Sequence, residues 1–440
     1  MKVLKFGGTS LGTPAKMHSV IELIWDSKPK LIVLSAMAGT TDNLVEITNY
    51  LSKDNKDTAK ELTSAMEKKY KKIISDLFKT REYQNKALGM ALSHFNHIRS
   101  FFHKFYSLPQ RNSILAQGEL LSSSLFHFLL EEEGIKATLL PALNFMRIDR
   151  AEEPDEYYIK ENLERELQTH PNSNLFITQG YICRNAFGEI DNLKRGGSDY
   201  TASLIAAAVD AEELQIWTDI NGFHNNDPRY IKNTYPVRNV SFDEAAELAY
   251  FGAKILHPSS VLPCKIKDIP VRLKNTMNPD DEGTIISNSS TKTDIKAIAA
   301  KDGITTIKIK SNRMLLAYGF IRKVFEVFEI YKTPVDVITT SEVALSVTID
   351  KTESLEEILD DLRKLSTVEV EQNQSIVCIV GDLIAEKKGI VARIFNALKN
   401  IPVRMISYGG SDYNITLLVK TEDKVKTLET LNQNLFSHDQ

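Results

Sequence analysis

The sequence predicts an α/β protein: a mainly parallel sheet flanked by helices, followed by two small α+β modules. Three observations predict it. Continuous apolar runs, "LIVLSA" (31–36), "NLFITQG" (174–180) and "LQIWTD" (214–219), end in small or polar residues, as strands covered on both faces do. Through the first two-thirds of the chain such runs alternate with helical stretches. The last third contains an internal repeat: "GFIRKVFEVFEIYKTPVDVITTSEVALSVTI" from Gly319 and "GIVARIFNALKNIPVRMISYGGSDYNITLLV" from Gly389.

In chain order, "MKVL" reads as a first strand that ends in the turn "KFGGTS" (5–10). The stretch from about Asp54 to Tyr106, rich in Lys, Glu and aromatics at helical spacing, reads as a helical excursion over the sheet. "NPDDEGTIISNSSTKTD" (278–294) marks a loop or linker and the domain boundary. The expected division is a catalytic domain over 1–285, a linker and possible strand over 286–303, and modules over 304–372 and 373–440. Each repeat copy reads glycine, amphipathic helix, proline turn, strand, polar loop, strand. Its 70-residue period is too long for a solenoid unit and suits two modules that form one continuous sheet, with a ligand site or dimer contact at the seam. Ile295–Ala300 is placed to join the second module.

The totals exclude several classes. The 440 residues are 42% hydrophobic and 25% charged, ordinary globular composition, and the net charge of −4 leaves no footprint for nucleic acid or an anionic membrane. No apolar run approaches the ~20 residues of a membrane span, and Lys2, Lys5 and the glycines interrupt any signal-peptide core. Cys183, Cys264 and Cys378 match no metal spacing and read as reduced thiols of a cytoplasmic protein.

Three glycine turns carry the chemistry. In the first, Gly7 and Gly8 let backbone N–H groups approach an anion, and Lys5, Thr9 and Ser10 suit a phosphate. It is not a P-loop, because Thr13 stands where the lysine should follow Gly12; a ligand-free βα turn accounts for the same residues. In the second, "KRGGSDYTASLIAAA" (194–208), Ser198 as N-cap and Asp199 in the first turn have an ordinary explanation. The crowding of Lys194 and Arg195 on Gly196 and Gly197 does not, and it points to a phosphate or carboxylate. The third, "LSAMAGTTDN" (34–43), sets Ser35, Gly39, Thr40 and Thr41 at a strand's carboxyl end, where open α/β sheets bind ligands. "QGELLSS" (117–123) adds Glu119, which also reads as an ordinary first-turn acid. "WTDINGFHNNDPR" (217–229) adds Thr218, Asp219, Asp227 and Arg229; a plain surface loop is the alternative. In "YFGAKILHP" (250–258), Lys254 lies among apolar residues and also reads as a snorkelling lysine. Together these cations, amides and carboxylates suit a polyphosphate with Mg²⁺, and phosphoryl transfer needs chiefly positioning and charge stabilisation.

"KFGGTS", "VLSAMAGTTDNL", "GELLSS", "ITQGYI", "RGGSDYTASLIA", "WTDINGF…DPR" and "FGAKILHP" resemble, in order, the signature blocks of aspartate kinase, and the tail resembles its two ACT regulatory modules. The likeness extends to the monofunctional, lysine-sensitive type, since the chain ends after the second module. The resemblance implies an amino-acid-kinase fold with ferredoxin-like ACT modules. It implies transfer from MgATP to the β-carboxylate of L-aspartate, giving 4-phospho-L-aspartate, at the head of lysine, threonine and methionine biosynthesis. It makes Lys5 and Asp199 the catalytic pair. Arg195 would clamp the substrate α-carboxylate and Glu119 its ammonium, with Ser35, Thr41, Gly196, Gly197 and Ser198 nearby. Gly7, Gly8, Thr9 and Ser10 would cradle phosphates, and Thr218, Asp219, Asp227, Arg229 and Lys254 would hold the nucleotide and its metal. His224 departs from the family, which often has tyrosine there. An amino-acid effector, lysine ahead of threonine, is implied at Met314, Ala317, Gly319, Phe320, Ile321, Val335, Asp336, Ser341 and Glu342, with Asp336 or Glu342 meeting its side-chain ammonium. A homodimer through the ACT modules is implied. Another carboxylate or carbamate kinase of the same fold, or a catalytically dead ACT sensor, are the alternatives.

Overall fold

The computed structural model describes residues 1–440 except 105, 195, 253–254, 290–294, 311–317, 383–386 and 437–440. The described chain divides into two compact units, Met1–Phe223 with Leu256–Ser290, and His224–Ile255 with Thr291–Gln440.

In the first unit the strands that form the large sheet are β1 (Lys2–Phe6), β2 (Lys30–Leu34), β3 (Thr138–Leu140), β4 (Leu175–Gln179), β5 (Glu213–Thr218), β6 (Val271–Asn275) and β7 (Thr284–Ser287). They lie in the order β3-β4-β2-β1-β5-β6-β7. The first six are parallel, and β7 runs antiparallel to β6. Every residue of β2 is buried, as its unbroken apolar run requires. The helical excursion forms Lys56–Leu77 and Arg81–Ser100, whose Tyr70, Ile74, Phe95 and Ile98 share one core with Phe6, Leu34 and Phe126. One expectation is corrected: within the stretch read as linker, "TIIS" (284–287) joins the sheet as a strand, with Thr284 and Ile286 turned inward. Four alternating residues among turn formers give too short a period to be read as a strand.

In the second unit β8 (Ala297–Lys310), β9 (Ile338–Thr340), β10 (Ala344–Ile349), β11 (Thr367–Val380), β12 (Met405–Tyr408) and β13 (Asn414–Lys420) form one sheet, β9-β10-β8-β11-β13-β12. Gly319 and Gly389, at φ +80° and +92°, cap the helices Phe320–Ile330 and Ile390–Ala397 at matching places in the repeat. Left-handed backbone at both positions is why each copy opens on glycine. β8 and β11 serve both modules. Ala297–Lys301 pairs with Val380–Ile376 beside β13, and after an irregular register Thr306–Lys310 pairs with Glu371–Thr367 beside β10. The segment 295–300 therefore does reach the second module. Two cores result, one around Ile307, Val324, Phe328 and Val347, the other around Val377, Ile394, Leu417 and Leu431.

Residues 224–255, placed by the sequence reading in the catalytic stretch 1–285, group with this second unit. Ile231 joins the core of Ile394 and Leu431. Ile298 N–H donates to the Asn225 carbonyl at 2.9 Å, and Asn226 Nδ2 donates to the Leu428 carbonyl at 3.3 Å. Lys296 Nζ donates to Glu244 Oε2 at 2.7 Å, where both side chains are 3% exposed or less. A paired charge at that depth is tolerated; a single one is not. Lys296→Met should therefore remove the cation paired with the buried Glu244 carboxylate and cost ~3–5 kcal/mol, read as a lower urea midpoint for the second unit.

Candidate active site

The parallel strands end in step. Phe6 lies opposite Leu34 and Trp217, and Leu34 opposite Gln179. The turns that follow β1, β2, β4 and β5 consequently leave from one rim, the carboxyl edge at which open α/β sheets hold ligands. Lys5 is the penultimate residue of β1 and turns to that rim. Its ammonium lies 2.7 Å from Asp199 Oδ1, with the two side chains only 12% and 16% exposed. Asp199 is in the first turn of helix Gly197–Ala208. Among the described residues its Oδ1 accepts no well-directed hydrogen bond, so the contact with Lys5 is one of charge rather than alignment.

The loop after β1 is pinned by backbone. Gly7 N–H donates to the Trp217 carbonyl at 3.2 Å, and the Gly8 carbonyl accepts from Ala38 N–H at 3.1 Å. A Cβ at Gly8 would lie 2.7 Å from the Ala36 carbonyl oxygen, so only glycine lets the first and third turns approach this closely. Ser10 departs from its expected role. It is 2% exposed and shares a 2.7 Å hydrogen bond with the Thr276 hydroxyl, tying the loop to the end of β6 instead of facing a phosphate. Ser198 departs too: the helix cap is Gly196, at φ +62°, and Ser198 lies inside the first turn.

Between these turns is a cavity of about 420 Å³, lined by Gly8, Thr9, Ser35, Ala36, Met37, Ala38, Gly39, Thr41, Asp42, Glu119, Tyr181, Gly197 and Ser198. Glu119, in the first turn of helix Gln117–Glu132, supplies its buried carboxyl. Oε1 accepts from Ala36 N–H at 3.3 Å, while Oε2 is buried with no hydrogen-bond partner among the described residues. Burial pushes the carboxyl up to about 8, against the opposing pull of backbone donors. A carboxylate so placed favours an incoming cation. The Ser122 hydroxyl donates to the Ser35 carbonyl at 2.7 Å, a second tie between this helix and the turn after β2.

The remaining expected residues are placed as follows. Thr218 ends β5, and its hydroxyl donates to Asp219 Oδ1 at 3.1 Å on the same rim. Arg195 and Lys254 lie outside the described residues. Asp227 and Arg229 belong to the second unit, where Arg229 grips the Asp227 carboxylate through Nε at 3.0 Å and an Nη at 2.6 Å. His224 Nδ1 is 3.1 Å from the Thr234 hydroxyl. Among the described residues no group of three or more His, Cys, Asp and Glu is arranged to hold a metal. No helix among them is long and apolar enough to cross a membrane, and all three cysteines are free and buried.

Comparison with known proteins fits this geometry. The model of the amino acid kinase family matches residues 1–275, and that of an ACT domain matches 377–435. The lysine-sensitive aspartokinase 3 of Escherichia coli K12 is 32% identical over 458 residues, which cover 99% of each chain. This chain belongs to the aspartokinases. Arabidopsis thaliana chloroplastic aspartokinase 1 is 32% identical over 463 residues, 99% of this chain and 80% of that one. The crystal structure of E. coli aspartokinase III in complex with lysine and aspartate superposes with a TM-score of 0.83 at 32% identity, covering 99% of both chains. The same enzyme with aspartate and ADP gives 0.80 at 31% identity, covering 99% of this chain and all of that one.

In this aspartokinase, sequence reasoning missed Tyr181. Its backbone is held left-handed at φ +67° by donation to the Thr201 hydroxyl at 2.8 Å and acceptance from Leu193 N–H at 2.8 Å. The signal was present in "QGY", directly after a buried strand, but a single aromatic beside glycine does not announce a cavity wall. Of the effector residues, Met314 and Ala317 lie outside the described residues. Gly319 caps its helix, and Phe320 is only 9% exposed, its ring packed in the module core. Ile321, Ser341 and Glu342 are exposed, Val335 packs against the core, and Asp336 is enclosed.

The raised Glu119 carboxyl gives a pH signature. Below about pH 8 the ligand-free site holds a proton that a bound ammonium must expel. Apparent affinity for an amino-acid substrate should therefore rise with pH up to about 8 and then level off. Glu119→Gln should weaken binding and flatten the profile. Calorimetry in two buffers of different ionisation enthalpy would count the proton released.

Proposed function

We propose that the rim catalyses phosphoryl transfer from MgATP to the β-carboxylate of L-aspartate, giving ADP and 4-phospho-L-aspartate. The observation that carries this reading is the 2.7 Å Lys5–Asp199 pair at the strand ends, beside a cavity that holds the Glu119 carboxylate. A β-carboxylate oxygen forms a bond to the γ-phosphorus as the bond from that phosphorus to the ADP oxygen breaks. The acceptor is already ionised near neutral pH, so no base is needed. Lys5 offsets the charge on the moving phosphoryl group, and Asp199 orients Lys5. Glu119 receives the substrate ammonium and Arg195 its α-carboxylate, with Ser35, Thr41, Gly196, Gly197 and Ser198 shaping the pocket. The tight glycine turn suits phosphate, because Gly7, Gly8 and Thr9 bring backbone amides close; Thr218 and Asp219 continue that edge. Nucleotide contacts at Asp227, Arg229 and Lys254 belong to the same proposal, as does Mg²⁺ carried on the phosphates.

The domain reading is likewise proposed: catalysis in 1–285, and ACT modules over 304–372 and 373–440 after a linker whose second half is strand. Feedback by lysine through the first module, a cytoplasmic location, a homodimer through the ACT sheet and a place at the head of lysine, threonine and methionine biosynthesis complete it. The E. coli relative crystallised with lysine supports lysine over threonine.

Two measurements test this. Incubation with MgATP, L-aspartate and hydroxylamine should yield aspartyl hydroxamate; product with glutamate and none with aspartate would reassign the acceptor. Lys5→Ala and Asp199→Ala should lower kcat by ~10²–10³-fold while aspartate binding changes little, in line with loss of transition-state charge stabilisation. In the same assay lysine should inhibit, Glu342→Ala should relieve the inhibition, and inhibition by threonine alone would reject lysine as the effector.

A further inference from the structure

Thr276 follows the last residue of β6 and is 6% exposed. Two of its atoms address one acceptor. Its N–H donates to the Thr218 carbonyl at 2.8 Å, and its hydroxyl donates to the same oxygen at 3.1 Å. That hydroxyl also lies 2.7 Å from the hydroxyl of Ser10, which is buried. A hydroxyl carries a single proton. Thr276 gives its own to the carbonyl, so Ser10 is the donor in the shared bond. The line of donation runs from Ser10 through Thr276 to Thr218.

The strand order makes this line a strap. β5 lies between β1 and β6 in the sheet, so a bond from the turn after β1 to the residue after β6 passes over the end of β5. Gly7 N–H donates to the Trp217 carbonyl at 3.2 Å from one side, and Thr276 holds the Thr218 carbonyl from the other. One position earlier β1 and β5 are locked by apolar contact, Phe6 stacking on Trp217 with ring centroids 5.7 Å apart. Asn275 adds a second tie: its Nδ2 donates to Asn221 Oδ1 at 2.6 Å, joining the turns after β5 and β6. Each end of the strap is anchored beside a rim segment. Ser10 ends the short turn Gly8–Ser10, and Thr218 immediately precedes Asp219.

We propose that Thr276 is a positioning residue for the nucleotide, its hydroxyl setting the separation between the Gly7–Thr9 turn and the Thr218–Asp219 edge. This rests on the proposed reading of those two segments as nucleotide contacts. Thr276 itself acts only through Ser10 and the Thr218 carbonyl. Without its hydroxyl the buried Ser10 hydroxyl loses its acceptor, and a stranded buried polar group is costly enough to move the chain that carries it. That chain is the glycine turn, so the two halves of the nucleotide edge fall out of register. Lys5 is less affected, because it sits within β1 and is paired with β2 on one side and β5 on the other. Nucleotide binding weakens, and the phosphoryl-transfer step does not.

The full-length protein is assayed by hydroxamate formation, with the Kd for MgADP read by calorimetry. Thr276→Val keeps the shape and removes the hydroxyl. It should raise the KM for ATP and the Kd for MgADP about 5-fold or more, the worth of one net hydrogen bond. Its kcat and KM for aspartate should stay within about 2-fold of wild type, the pattern of lost binding rather than lost transition-state stabilisation. Thr276→Ser retains the hydroxyl and should restore wild-type values. Ser10→Ala should weaken MgADP to a similar degree, and the double variant should add little, since both changes cut the same line. Thr63→Val removes another buried hydroxyl, one that donates to the Ala59 carbonyl at 2.8 Å in helix Lys56–Leu77, and should leave both nucleotide constants unchanged. Wild-type MgADP affinity in Thr276→Val, or in Ser10→Ala should the first variant not fold, overturns the role of Thr276. An equal loss in Thr63→Val also overturns it, since general loosening would then account for the effect, as do fully additive losses in the double variant. Wild-type protein that forms no hydroxamate and binds no MgADP would instead overturn the nucleotide reading, and the positioning role with it.

Discussion

The site depends on strands that run parallel and stop together. Because β1, β2, β4 and β5 end in register, four turns distant in sequence open onto one edge, and Lys5 meets Asp199 across nearly 200 residues of chain. The ion pair could not be formed by either turn alone. An antiparallel meander of the same strands would send alternate turns to opposite edges. The glycine at position 8 is a consequence of the same convergence, since the loops after β1 and β2 meet backbone to backbone.

The cavity extends that logic to charge. Desolvation at Glu119 raises the cost of its negative form, and the oxygen without a donor among the described residues marks where a positive group would restore the balance. Lys5 and Asp199 already neutralise each other. On the proposed reading Glu119 receives the substrate's cation, while Lys5, held by Asp199, offsets the charge of the moving anion.

The strands of the sheet were legible because burial on both faces forces unbroken apolar runs, as in "LIVLSA", and because a lysine beside paired glycines has few other uses at a strand end. The internal repeat was legible because each copy must open its helix in left-handed backbone. Other features were not. β7 is too short to show a period. Ser10 and Ser198 are residue types that suit a phosphate site or an N-cap, and only packing shows that one is sealed against Thr276 and the other falls within a helical turn. Tyr181 is a wall of the cavity through its backbone twist, a property that side-chain chemistry does not encode. The membership of 224–255 in the second unit depends on Ile231 and on the buried Lys296–Glu244 pair, long-range facts that local composition cannot carry.

The long strands β8 and β11 have a consequence for how this protein can be altered or inherited. Each gives one half of its length to each module. Neither module is therefore an excisable cassette. A truncation near residue 372 would strip the lower half of β8 of its neighbour and leave a bare strand edge, a ready template for self-association. Exchange of regulatory parts between related chains would succeed only when the two copies travel together, so the duplicated tail behaves as a single unit of recombination.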